Sequence, residues 1–189
     1  MIRKLESWPS RKQIDAAIVV AIVSLLIIFI LMQVVSEPIQ TESSYNVLDL
    51  EFAWTSEKMN TILDDWGNDL IEREIWATYF DFGFLVAYGT LLAGLSLRFG
   101  RLFKEEKLGY LGYRFTIISY IASGFDAIEN FSLLWVLHFP KSYPNFTPLL
   151  ASICATIKFT LIICTVAYIL IASLTYAKLK LTVRSSSPT

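Results

Sequence analysis

Three side chains that can exchange protons or hold a cation lie close together in an otherwise apolar stretch. Asp126, Glu129 and Asn130 occur within GFDAIENFSLLW at 124–135. Their i, i+3, i+4 spacing places them on one face of a helix. Such a face can transfer a proton, bind a cation or accept hydrogen bonds from a ligand. The spacing by itself does not identify a reaction.

The elements that must position these residues are predicted to be membrane-spanning helices. The chain has 189 residues, of which 54% are hydrophobic and 17% charged, and its mean hydropathy is +0.52. This composition is too apolar for a soluble domain of this size. Four apolar blocks reach the ~20 residues needed to cross a hydrocarbon core. They are about residues 16–35, 76–97, 113–137 and 149–176.

The sequence predicts a single four-span domain, an antiparallel four-helix transmembrane bundle of the all-α class. The first block is expected to stay as an anchor, because it exceeds the ~7–15 apolar residues of a signal peptide and no A-x-A cleavage site follows. Basic residues near span ends remain cytoplasmic, which predicts cytoplasmic termini, a tail at 177–189 and the cell membrane as the location. These bases are Arg3, Lys4, Arg11, Lys12, Arg98, Arg101, Lys104, Lys107, Lys178, Lys180 and Arg184.

The loop at 36–72 is predicted to form an acidic cap on the outer side. Within it, NVLDLEFAW at 46–54 alternates apolar and acidic residues, which is typical of an extended segment. A short amphipathic helix should follow, capped by Thr55 and stopped by Gly67. Two roles fit this segment: a cover over the outer ends of the spans, or a lid over a site. Its apolar stripe consists of Met59, Ile62, Leu63 and Trp66.

Ionisable residues of the spans are predicted to form one layer in the outer half of the bilayer. Counted at ~1.5 Å per residue, Asp81, Asp126 and Lys158 differ in depth by less than about 10 Å. An ionised side chain at mid-bilayer costs at least ~2.5–3.5 kcal/mol, so all should face inward, with Lys158 opposite Asp126 or Glu129. One lysine cannot neutralise three acids. At least one acid should therefore stay protonated or meet a cation, water or ligand.

Two interpretations of this layer remain open. Buried Asp–Lys pairs and an amide can fix helix register, whereas surplus acidity favours a ligand, proton or catalytic site. Tyr79, Tyr88, Tyr120 and Thr156 are candidates to line the same cavity. The predicted cluster is Asp81, Asp126, Glu129, Asn130, Thr156 and Lys158.

Other features argue against several kinds of site. His138 is the only histidine, which excludes a bis-histidine haem and disfavours zinc. Cys154 and Cys164 lack a CxxC pattern and are expected to be apolar fillers. We expect no metal, no cofactor and no nucleic-acid partner, because the bases sit at the ends of apolar blocks. Four aromatic residues are predicted at the outer interface: Trp76, Tyr79, Trp135 and Tyr143.

The order of motifs resembles a widespread but poorly characterised family of small four-span integral membrane proteins. The similarity covers about residues 45–165 and consists of LDLEFAWTSEKMNTILDDWG, YFDFGFLVAYGTLLA, DAIEN, YP and TIKF. It implies that the polar residues of the second, third and fourth spans form one set. It implies no reaction.

Three functions compete on this evidence. The first is an intramembrane site that binds or acts on the polar group of an amphiphile or small molecule. The second is an accessory role in a larger membrane complex or homo-oligomer, with the charges fixing register. The third is a proton or cation pathway, which needs polar groups reaching the inner side. Only Ser96, Tyr120 and Ser173 are evident there.

Overall fold

The protein is entirely helical wherever its structure is described. The computed structural model describes residues 5–103 and 106–185, with side chains up to residue 182. The predicted cytoplasmic bases Arg3, Lys4, Lys104 and the Arg184 side chain lie outside these limits. The helices are α1 (Arg11–Glu42), α2 (Val47–Glu51), α3 (Ser56–Leu102), α4 (Lys107–His138) and α5 (Thr147–Ser185).

Among the described residues, three helices are long and apolar enough to cross a membrane: Arg11–Glu42, Ser56–Leu102 and Thr147–Thr182. They contain the predicted blocks at 16–35, 76–97 and 149–176. The fourth block, at 113–137, lies within α4, which is 32 residues long but does not meet the same hydropathy limits. The two acids and the amide of DAIEN lie in α4 and lower its hydropathy.

Helix α3 is the centre of the bundle. It packs against α1, α4 and α5, and α4 also packs against α5. Helices α1 and α5 do not pack extensively against each other. Helix α1 is therefore attached mainly through α3, and a gap remains between α1 and α5.

Glycines on α3 allow its neighbours to approach closely. A Cβ at Gly94 would lie 2.8 Å from the Ile18 side chain of α1. A Cβ at Gly89 would lie only 3.3 Å from the Cβ of Ser123, and it would overlap that residue's hydroxyl. Gly89 and Gly94 therefore permit close packing of α3 against α4 and α1.

The segment predicted to be extended is instead the short helix α2. The Asn46 side chain accepts from the Asp49 backbone N–H, and the Asp49 side chain accepts from the Asn46 N–H. This reciprocal capping box starts a helix at a point where the alternating pattern favoured a strand. The expectation of an extended 46–54 segment was wrong for that reason.

The predicted amphipathic helix is confirmed as the first part of α3. Its N-cap is Thr55, whose hydroxyl accepts from the Lys58 N–H at 3.2 Å. Gly67 has φ 61° and ψ −176°, which breaks the helix without ending it, so that α3 turns directly into its long apolar part. Glycine takes this conformation without the steric cost that a Cβ imposes.

The first part of α3, residues 56–66, covers one end of the bundle. Its apolar stripe packs with Leu133 and Val136 of α4 and with Ala151 of α5 in one buried cluster. Trp66 Nε1 donates to the Tyr45 carbonyl at 3.1 Å. Tyr143, predicted at the interface, is instead 8% exposed, because its hydroxyl donates to Asn60 Oδ1 at 2.7 Å. Residues 56–66 therefore pack over this end of α4 and α5.

Candidate functional site

Lys158 of α5 lies between two acids of α4. The sequence predicted a contact with either Asp126 or Glu129, and the structure has both. Lys158 Nζ is 2.9 Å from Asp126 Oδ1 and 2.9 Å from Glu129 Oε1. All three residues are buried, with exposures of 5%, 2% and 0% respectively. At this burial an ion pair is stable only when its hydrogen bonds are well made. The geometry satisfies the lysine with two charge-assisted bonds.

Two further contacts join α3 to the same layer. Tyr88 donates its hydroxyl to Asp126 Oδ2 at 2.8 Å. Asn130 donates its amide to Asp81 Oδ2 at 2.7 Å. The DAIEN motif therefore contacts both neighbouring helices. Asp126 and Glu129 bond to Lys158 of α5, while Tyr88 and Asp81 of α3 bond to Asp126 and Asn130.

Two acids of the site were not predicted. Glu51, at the end of α2, places its Oε1 3.6 Å from Lys158 Nζ. Glu74 of α3 is 3% exposed. A signal for Glu74 exists in the sequence, because it precedes Asp81 by seven residues and so shares its helical face. Nothing local identifies Glu51, since the packing of α2 against the bundle brings it to the site.

A cavity of about 540 Å³ lies beside this cluster. Its walls come from α1, α2, α3 and α5, with Asp126 contributed by α4. The acids Glu51, Glu74, Asp81 and Asp126 line it together with Lys158 and Tyr88, while Glu129 is enclosed behind the lysine. The cavity is much larger than a single water, which occupies ~30 Å³ of liquid.

Polarity changes along the cavity in the same direction on three helices. On α3 the lining runs from Glu74 and Asp81 to Leu91 and Leu92, which is about 27 Å along the axis at ~1.5 Å per residue. On α5 it runs from Lys158 to Ile162. On α1 it runs from Gln40, Ser36 and Gln33 to Met32 and Phe29. The cavity therefore has one acidic, polar end beneath the cap and one apolar end.

Helices α1 and α5 form two walls of the cavity. These helices both line it but do not pack extensively against each other. Phe29, Gln33 and Gln40 of α1 line the cavity and are exposed. At the polar end, the carbonyl of Glu51 of α2 accepts a hydrogen bond from Ser152 of α5 at 2.8 Å. The boundary between α1 and α5 is therefore the candidate entrance.

Several predicted lining residues lie elsewhere. Thr156 is exposed and donates to the Ser152 carbonyl of its own helix at 2.8 Å, so it is not part of the buried cluster. Tyr120 is 56% exposed. Tyr79 is also exposed, and its hydroxyl is 3.1 Å from His138 Nε2. Helical phase explains these positions, because each faces away from the contact between α3, α4 and α5.

More buried hydroxyls continue inward from the acids than the sequence analysis recognised. Thr116, Ser119 and Ser123 of α4 follow Asp126 toward the other end of the bundle. Thr116 and Ser119 each donate at 2.8 Å to the carbonyl four residues earlier in their own helix, and Ser123 donates to the Leu85 carbonyl at 2.9 Å. The donors are committed to backbone carbonyls, as is common for small residues at helix contacts.

The acidic end of the cavity brings together five carboxyl groups and one ammonium group, those of Glu51, Glu74, Asp81, Asp126, Glu129 and Lys158. Burial raises the pKa of Glu51 above its ordinary value, although Lys158 opposes this shift. In the described part of the chain, Oε2 of Glu51 and Oε2 of Glu74 are buried without a hydrogen-bond partner. Buried polar atoms without partners are costly. Both atoms belong to side chains that line the cavity.

No family model, curated protein or solved structure matches this chain. Within the described ranges, no group of three or more His, Cys, Asp and Glu side chains is arranged to hold a metal ion. The chemistry of the cavity follows from its own donors and acceptors.

Proposed function

We propose that this protein crosses the membrane four times and binds the polar group of an amphiphile in the acidic cavity. The group would carry hydrogen-bond donors or positive charge, and the chain of the ligand would lie along the apolar end. Entry would be lateral, between α1 and α5. Both termini would be cytoplasmic, and the cap would lie outside.

The polarity gradient of the cavity is the observation that supports this proposal most. A site for a bare ion needs polar groups around a small volume, whereas this cavity of about 540 Å³ is polar at one end only. The same order of side chains on α1, α3 and α5 matches a molecule with a head and a tail. Pockets for small molecules are commonly apolar with a few convergent polar groups.

The chemistry of the head follows from the charge balance. Lys158 is engaged by Asp126 and Glu129, so it offers little to an anionic ligand. Glu51, Glu74 and Asp81 line the cavity without a further described cation. A ligand with an amine or several N–H and O–H donors would satisfy these oxygens.

The surface of α4 supports its role as the fourth span. Its polar residues Asp126, Glu129 and Asn130 are buried, while Ile121, Ile128, Phe131 and Trp135 are exposed. A helix that is apolar outside and polar inside suits a lipid environment, where ionisable groups face the bundle interior. The basic ends of the helices support the proposed orientation.

Long-chain amines provide a direct test of ligand binding. The purified protein in dodecyl maltoside would be titrated with dodecylamine, dodecanol and dodecyl sulfate, and the thermal midpoint of unfolding measured. We expect the amine alone to raise the midpoint, because a ligand at about 100 times its Kd stabilises the folded state by ~2.7 kcal/mol. Equal effects of the amine and the alcohol would contradict the proposed head-group chemistry.

Two conservative variants localise the effect. Glu74→Gln and Asp81→Asn remove acidity from the cavity but leave both bonds of Lys158 in place. We expect these variants to fold and to lose the response to the amine. Thr156→Ala is the matched control, because Thr156 is exposed and bonds only to its own helix. A response that survives in both acid variants would place the amine elsewhere.

Fixing the register of α4 and α5 is the second candidate role. The two bonds of Lys158 connect these helices directly and favour this role for Asp126 and Glu129. The register account predicts that Glu74→Gln and Asp81→Asn have no binding phenotype. A proton pathway is less well supported, because the inner hydroxyls Thr116, Ser119 and Ser123 donate to backbone carbonyls.

A further inference from the structure

A second cavity, of about 330 Å³, lies at the end of the bundle opposite the acidic cluster. Arg98 of α3 lies 17 residues after Asp81, which is about 25 Å along the helix at ~1.5 Å per residue. Three arginines line the cavity, namely Arg11 of α1 and Arg98 and Arg101 of α3. The arginines are therefore separated from the acidic end of the first cavity by nearly the thickness of a hydrocarbon core.

One acid shares this arginine cavity. Asp15 of α1 forms an ion pair with Arg98. Arg101 uses its Nε to donate to the Leu5 carbonyl at 2.8 Å, and its Nη2 is buried without a hydrogen-bond partner in the described part of the chain. With three guanidinium groups and one carboxylate, the lining has a net charge of about +2. An unsatisfied donor of this kind is expected to meet an anion.

Apolar side chains complete the wall. Leu102 and Tyr176 line the cavity and are 49% and 42% exposed. They lie where α3 and α5 leave the apolar part of the bundle. An anion bound by the arginines could therefore have an acyl chain extending over these two residues.

We propose that the arginine cavity binds the phosphate of an anionic phospholipid, with Arg11 and Arg101 as its principal ligands. Guanidinium groups suit phosphate because their planar donors can bind two oxygens at once. Arg98 holds the site in place through Asp15. The shared chemistry is a phosphate group, and the exposed apolar wall favours a lipid as its source over free phosphate. This inference does not depend on the function proposed for the acidic cavity.

Native mass spectrometry of the whole protein in dodecyl maltoside tests the proposal. Phosphatidylglycerol and phosphatidylcholine of equal chain length would be added at matched concentrations and the bound fraction compared. We expect tighter retention of phosphatidylglycerol, weakened about tenfold in Arg11→Gln and in Arg101→Gln, since a hydrogen bond to a charged group contributes at least this factor. Lys12→Gln, an exposed neighbour with the same charge change, should retain wild-type affinity.

Three other outcomes would overturn the assignment of this cavity to an anionic phospholipid. Equal loss in Lys12→Gln and Arg11→Gln would mean general attraction to positive charge. No preference between the two lipids, which both carry a phosphate, would mean that the cavity does not select an anionic phospholipid. Displacement of the lipid by inorganic phosphate at an equal concentration would make free phosphate the ligand. If Arg101→Gln fails to fold because it loses the bond to the Leu5 carbonyl, Arg11→Gln alone tests the proposal. The Arg11 side chain is exposed and takes no part in that bond.

Discussion

Replacing Lys158 by methionine should destabilise the protein strongly. The lysine makes two bonds of 2.9 Å to acids that are almost fully buried. Each attraction is ~6 kcal/mol at an effective dielectric constant of ~20, and desolvation of the three groups offsets most of it. Removing the cation leaves the buried carboxylates of Asp126 and Glu129 without a positive charge to neutralise them. The net loss from breaking a buried pair in this way is ~3–5 kcal/mol.

A double-mutant cycle separates the ion pair from loss of packing. The four proteins are wild type, Lys158→Met, Glu129→Gln and the double variant, and the free energy of unfolding comes from titration with sodium dodecyl sulfate in mixed micelles. We expect the double variant to be less destabilised than the sum of the singles by ~1–3 kcal/mol, because contacting residues are coupled. Lys107→Met serves as control, because its side chain is exposed.

Two results would refute this reasoning. A Lys158→Met protein within about 0.5 kcal/mol of wild type would mean that the cluster is not desolvated. Additivity within about 0.5 kcal/mol would mean that Lys158 and Glu129 do not interact. Either result would also weaken the proposed cavity, since the acids could then be solvated individually.

Three further predictions concern packing, the cap and pH. Gly89→Val should lower the free energy of unfolding by at least ~1–3 kcal/mol, because the added side chain overlaps Ser123. Gly124→Ala should be neutral or stabilising, because no atom lies within 4 Å of the added Cβ. Thermal unfolding of both variants tests this difference. Ser152→Ala should cost ~1–3 kcal/mol, since the hydroxyl accepts from Trp54 N at 3.0 Å and donates to the Glu51 carbonyl, and proteolysis of the cap should accelerate. Burial raises the pKa of Glu51 from its ordinary value of 4.5, so its contribution to stability is present below that value and lost as pH rises through the folded pKa. Above about pH 4.5, the thermal midpoint of unfolding should therefore fall less steeply with pH in Glu51→Gln than in wild type. An identical pH profile in the two proteins would contradict this.

The sequence predicted the local features of the fold well. The i, i+3, i+4 spacing placed Asp126, Glu129 and Asn130 on one buried face, and Thr55 capped the helix that its stripe predicted. Such features depend on residues within one or two turns. The short helix α2 was missed because a capping box of Asn46 and Asp49 competed with an alternating pattern over only a few residues.

Features that depend on packing between distant segments were less accessible. Glu51 reaches Lys158 across more than a hundred positions of sequence, and no local pattern indicates that contact. Tyr143 was expected at the interface by residue type, yet Asn60 provides a buried partner for its hydroxyl. Thr156 precedes Lys158 by two residues on α5, so the two side chains point about 200° apart around the helix axis. Thr156 therefore faces away from the buried cluster.

The position of Lys158 has a consequence for biogenesis. Helix α4 contains two carboxylic acids and an amide, and α5 contains their cation. A charged residue at the centre of a segment costs ~2.5–3.5 kcal/mol when the translocon releases it into lipid. If α4 crosses the bilayer as proposed, its entry alone is unfavourable, and joint entry of α4 and α5 as a hairpin lets the ammonium and the acids leave water together. Synthesis should therefore pass through an intermediate in which α4 waits at the channel until Lys158 emerges from the ribosome.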